Sequence, residues 1–160
     1  MTRVWDPFVR AAHWGLAALV LVELLNEAGA DPWHRGLGYV AAALVVARLA
    51  WGLRDTGYAK LKTMARTALR DPGMPYRGHT RLGVLMAFTL WTLVLAAGVT
   101  GWMLGLDPFW GEQWLQDLHA AVAYAIALCV FVHVAAAVLA SRVQRVNLVK
   151  AMITGEKAVQ

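Results

Sequence analysis

Residues Leu82–Leu106 run for 25 positions without a charged side chain, and Leu118–Ser141 run for 24 more, interrupted only by His119 and His133. At about 1.5 Å per residue, each run as a helix crosses a hydrocarbon core of about 30 Å. This feature constrains the chain most, and it reads as an integral membrane protein. A soluble domain of 160 residues would carry more surface charge than the 16% found here, beside 59% hydrophobic residues and eight Trp. Two shorter runs complete the set. Ala11–Val22 is charge-free and then meets Glu23, and Gly36–Ala47 is charge-free and then meets Arg48. Beside two strong spans they read as membrane helices with embedded ionisable groups. The expected helices cover roughly 9–27, 33–54, 79–105 and 112–141, an all-α, four-helix membrane bundle in one domain over 1–160.

Charge gives the orientation. The stretch 54–81 holds Arg54, Lys60, Lys62, Arg66, Arg70, Arg77 and Arg81 against Asp55 and Asp71. Arg3 and Arg10 precede the first span, and Arg142, Arg145, Lys150 and Lys157 follow the last. The other two connections hold Asp31, Asp107, Glu112 and Asp117 against Arg35. The positive-inside rule then places both termini and the 54–81 loop in the cytoplasm. The net charge of +5 is a topology signal, and nucleic-acid binding has little support. Ala11–Val22 lacks a small-residue cleavage site and reads as a retained span. Most of the Trp residues fall near helix ends, as interfacial anchors do, while Trp91 is mid-span. Between the second and third spans, residues 58–70 place Leu61, Met64, Ala65, Ala68 and Leu69 at helical spacing, with Lys60, Lys62, Arg66 and Arg70 largely opposite. That pattern predicts a short helix on the cytoplasmic membrane surface.

Histidines inside spans are costly and mark function. His119 and His133 are fourteen residues apart, a rotation of about 1400°, so they share a helix face about 21 Å apart along the axis. His13 opens the first helix at the depth of His133, and His34 opens the second at the depth of His119. His79 opens the third. Interhelical hydrogen bonding, a zinc site and a proton relay are the competing explanations. Zinc gathers three or four ligands at one depth, and a relay interleaves acids along a path. Two pairs at two depths favour two haems stacked inside the bundle. Arg48 lies fourteen residues after His34, at the depth of the inner pair. It either meets haem propionates there or snorkels to the interface. Arg35, beside His34, is a weaker candidate for the outer propionates. The single Cys129 excludes an internal disulfide and a CxxCH haem attachment.

The segments "RVWDPFVRAAHW" (3–14), "WHRGLGYV" (33–40), "ARLAWG" (47–52), "GHTRLG" (78–83), "LHAAVAYAIALCVFVHVA" (118–135) and "NLVKAMITGEK" (147–157) resemble the prokaryotic cytochrome b561 family, which is related to the cytochrome b subunits of membrane nickel–iron hydrogenases. The resemblance covers nearly the whole chain in order. It implies two b-type haems, with His13 and His133 ligating the cytoplasmic-side haem and His34 and His119 the outer one. His79 matches a family histidine that is not an axial ligand and would sit near the inner haem or a quinone. Family members more often read Asn-Pro after it, where this chain has Thr80–Arg81.

The implied activity is electron transfer across a bacterial inner membrane, between the quinone pool and a periplasmic c-type cytochrome or dehydrogenase on a separate chain. A self-contained superoxide:quinone oxidoreductase is the alternative. Glu23, with Asn26 and Glu27, would serve quinone proton exchange or simply end the first helix. Lipid is an obligatory contact, and a homodimer is one arrangement the sequence allows.

Overall fold

The computed structural model describes residues 2–3, 6–26, 32–54, 60–69, 80–143, 145 and 147–157. Six α-helices account for most of them: α1 Pro7–Leu25, α2 Pro32–Arg54, α3 Leu61–Leu69, α4 Arg81–Met103, α5 Gln113–Val143 and α6 Leu148–Thr154. A 3-10 turn, Asp107–Phe109, links α4 to α5. Two-residue strands, β1 (Thr2–Arg3) and β2 (Glu156–Lys157), pair antiparallel with Thr2 opposite Lys157. Both chain ends therefore lie at one end of the bundle. Hereafter this is the His13 end, and the opposite one is the His34 end.

Helices α1, α2, α4 and α5 are each long and apolar enough to cross a membrane. Hydropathy locates such spans, whereas capping chemistry sets their ends. Helix α1 starts at Pro7, ahead of its apolar run, because Asp6 Oδ1 accepts from Phe8 N–H at 2.8 Å and Pro7 takes the first turn. Helix α4 starts after Thr80, whose hydroxyl oxygen accepts from Gly83 N–H at 3.1 Å. Helix α6 is bounded by Asn147, which accepts from Lys150 N–H at 2.8 Å, and by Gly155 at φ 83°. That left-handed position suits glycine.

Burial is inverted relative to a water-soluble bundle. Leu25, Leu53, Tyr124, Leu128 and Phe131 are all more than 60% exposed, and a lipid solvent accepts such a surface. The interior is a narrow seam. Ala41 and Val45 of α2, Val94 of α4 and Ile126 of α5 are its buried centre, flanked by Leu16, Leu19 and Val20 of α1 and by Val122 and Val130 of α5. Small residues bring α2 and α4 together: a Cβ on Gly98 would lie 3.0 Å from that of Ala42. Without a hydrophobic drive between helices in lipid, such close packing supplies the attraction.

The short α3 falls within the stretch 58–70 where a helix is expected. Its buried residues are Met64 and Thr67, while Ala65 is exposed and Leu69 is 87% exposed. The helix docks on α4 and α2 through Met64 and Thr67, and leaves Ala65 and Leu69 on its open side.

Candidate haem-binding interior

Each long helix carries one stripe into the seam, and the polar groups stand at its ends. On α5 the stripe reads His119, Val122, Ile126, Val130, His133, with spacings of three and four that hold one helical face. On α1 it reads His13, Leu16, Val20, Glu23, and on α2 His34, Ala41, Val45, Arg48. The apolar middles pack together and bring the polar ends into two groups.

At the His13 end the rings of His13 and His133 face each other with centroids 6.2 Å apart and planes at 51°. At the His34 end, His34 and His119 have centroids 6.0 Å apart and planes at 85°. The principal helix pairings are α1 on α2, α2 on α4 and α4 on α5. Neither α1 nor α2 packs closely on α5, so the imidazoles meet across gaps between backbones. A metal bonded to two imidazole nitrogens at about 2 Å, each about 1.1 Å from its ring centre, separates the centroids by about 6 Å. Both pairs have that spacing. Among the described residues, no three His, Cys, Asp or Glu side chains gather around a common point, so the ligand set of a tetrahedral zinc is not assembled. Two protein ligands suit a metal whose other positions a macrocycle fills.

The surroundings of the pairs differ. Thr100 on α4 is buried, and its Oγ1 lies 2.8 Å from His119 Nδ1. Beside it, a Cβ on Gly101 would come within 3.3 Å of His119 Cε1. Glu23 Oε2 lies against His34 Nδ1, and the Glu23 side chain is 15% exposed. His13 stands edge-on to Trp14, with ring centroids 5.3 Å apart, and its buried Nδ1 has no hydrogen-bond partner among the described residues.

Arg48 is 6% exposed, covered by neighbouring helices. Its guanidinium carbon lies 5.2 Å from the Trp91 ring centre, and its Nη2 is 3.7 Å from Met64 Sδ. It thus joins α2 to α3 and α4. Arg35 is exposed at the His34 end, in an open cleft lined by Pro32, Gly36 and Tyr39. His79 and Glu27 lie outside the described residues. At the His13 end, the last carbonyls of α6 are tied to α1, with Arg10 Nη1 donating to Ile153 O at 2.6 Å and Trp14 Nε1 to Met152 O at 3.4 Å. Sequence reasoning missed Thr100. Its only trace was a Thr-Gly pair inside a charge-free span, at the depth of His119.

Fold and interior together define a class: a multi-pass membrane helix bundle with imidazoles in facing pairs inside it. The family model for prokaryotic cytochrome b561 matches residues 4–155, and the chain belongs to that family. It is a membrane b-type cytochrome of electron transfer, in a family that binds b-type haem. No curated protein and no solved structure matched the chain.

Proposed function

We propose that the chain holds two b-type haems, one between His13 and His133 and one between His34 and His119. They carry electrons between the quinone pool and a periplasmic redox partner, a c-type cytochrome or a dehydrogenase. The observation that supports this reading is the pair of facing imidazole couples at two depths of one bundle, separated by the apolar layer of Ala41, Val45, Val94 and Ile126. A b-type haem with two histidine ligands supplies one-electron chemistry and leaves no open position for substrate at iron. The helices fix the imidazoles, and the apolar layer keeps water from the space between the sites. The excess of Lys and Arg at the His13 end supports a cytoplasmic placement of that end, with the His34 end toward the periplasm of an inner membrane. Arg48 at the cytoplasmic end and Arg35 at the periplasmic end offer cations to the haem propionates. His79 is placed near the inner haem or a quinone on the resemblance alone.

The test begins with the purified protein, which should show a reduced-minus-oxidised b-type α-band and two haems per chain. Stopped-flow mixing with a quinol, with reduced cytochrome c and with superoxide then identifies the electron donor. Reduction by none of them overturns the assignment.

The superoxide reading draws on exposed Arg35 in its cleft at the His34 end, which suits a small anion. Exposed Asp107, Glu112 and Asp117 belong to the connection at that end and its flank, and they oppose electrostatic steering of an anion. Electron transfer to a separate chain is therefore favoured.

A further inference from the structure

The two imidazole pairs differ at the ring nitrogen that faces away from a bound metal. An imidazole that ligates through Nε2 carries its proton on Nδ1 and must donate it. At His119 the acceptor is already in place. Thr100 Oγ1 lies 2.9 Å from Ala96 O and 3.1 Å from Ala97 O, and 2.8 Å from His119 Nδ1. The hydroxyl has one proton. Donated to the carbonyls of its own helix, it leaves the lone pairs of Oγ1 to accept from Nδ1–H, and Nε2 is free for metal. Gly101 lets the ring lie against α4, since its missing Cβ would crowd His119 Cε1 at 3.3 Å. At His34 the Nδ1 group is met by the carboxylate of Glu23. His13 Nδ1 has no such acceptor among the described residues.

We propose that Thr100 and Glu23 are positioning residues that fix the Nδ1–H tautomers of His119 and His34, and that they hold the haem at the His34 end at a lower reduction potential than they otherwise would. The proposal rests on the ligand pairs assigned above. An acceptor on Nδ1 makes the imidazole a stronger base, and a stronger base stabilises oxidised iron over reduced. Glu23 contributes most because its acceptor is charged, whereas Thr100 contributes chiefly orientation.

The experiment compares wild type with Thr100→Val, Thr100→Ser and Glu23→Gln in detergent, reading haem content and the midpoint potential of each haem by redox titration. Thr100→Val keeps the side-chain shape and removes the acceptor. It should weaken retention of one haem by about 10–100-fold and raise that haem's potential, while Thr100→Ser restores both. Glu23→Gln should retain the haem and move its oxidised-to-reduced equilibrium by about three- to tenfold, or about 28–59 mV upward at 59 mV per decade. The second haem should stay unshifted in every variant.

Equal behaviour of Thr100→Val and Thr100→Ser, unchanged potentials in Glu23→Gln, or equal shifts in both haems would overturn the proposal. If Thr100→Val does not fold, Glu23→Gln decides it. His34→Ala and His119→Ala separate the two levels of failure. Loss of different haems in those two variants overturns the ligand pairing itself, and loss of the same haem leaves any failure with Thr100 and Glu23.

Discussion

Replacing the four interior histidines with alanine one at a time tests the arrangement most directly. His34 and His119 face each other at 6.0 Å, and His13 and His133 at 6.2 Å. The two histidines of α5 are about 21 Å apart along its axis, and Val122, Ile126 and Val130 lie between them. Sites more than about 10 Å apart without shared partners perturb each other by about 0.3–0.5 kcal/mol. At about 1.4 kcal/mol per tenfold, that is about twofold in affinity.

His34→Ala and His119→Ala should therefore each lose the same haem and bind the remaining one within about twofold of wild type. His13→Ala and His133→Ala should lose the other. The assay is a pyridine haemochrome count with low-temperature difference spectra, which separate two α-bands. Gel filtration and far-ultraviolet circular dichroism confirm that each variant is folded. Imidazole added to His119→Ala should restore the missing band, because the cavity left is the size of the ligand removed. If His34→Ala and His133→Ala lose the same haem, or if one folded variant loses both, the reasoning fails.

Further substitutions probe the frame. In Gly52→Ala the new Cβ would stand 2.8 Å from Leu61 Cγ and 2.9 Å from Arg48 Nη1. Overpacking costs about 1–3 kcal/mol against a helix gain of about 0.8–1 kcal/mol, so thermal stability in detergent should fall and Leu61→Ala should restore it. Leu128, 64% exposed near the middle of α5, should accept alanine at well below the usual cost of a buried Leu, whereas lysine there should cost about 2.5–3.5 kcal/mol in an insertion assay. Arg10→Met removes the bond to Ile153 O, worth about 1 kcal/mol, and amide exchange in α6 should quicken by about fivefold.

The membrane bundle was legible because hydropathy over twenty or more residues depends on the solvent alone, and α4 and α5 satisfy it without ambiguity. Facing histidines were legible for a related reason. A fourteen-residue interval is close to four turns, and antiparallel neighbours convert sequence position into depth. Features decided by one contact between helices were not legible. The buried face of α3 follows Met64 and Thr67 because it docks on α4 and α2, and a hydropathy pattern does not record that choice. Helix α6 is seven residues long, too short for a periodic signal, and its Asn147 and Gly155 caps came to light only in the structure.

Glu23 and Thr100 show the same limit within the site. Glu23 reads in sequence as an acid at a helix end or a proton carrier for quinone, and only the approach of α2 turns it toward His34. Thr100 in an apolar run reads as a hydroxyl satisfied by its own helix, which it is through Ala96 and Ala97. That bond is also what frees its lone pairs for His119. Local and tertiary roles share one oxygen. Along every stripe in the bundle, apolar residues at intervals of three and four set how the helices pack, and the polar residues at the stripe ends inherit their partners from that packing. Conversion of Val94 or Ile126 in the middle of the seam would therefore act on both imidazole pairs at once, although neither residue touches them by charge or hydrogen bond. Imidazole geometry in this protein is a property of the apolar layer between the pairs as much as of the histidines themselves.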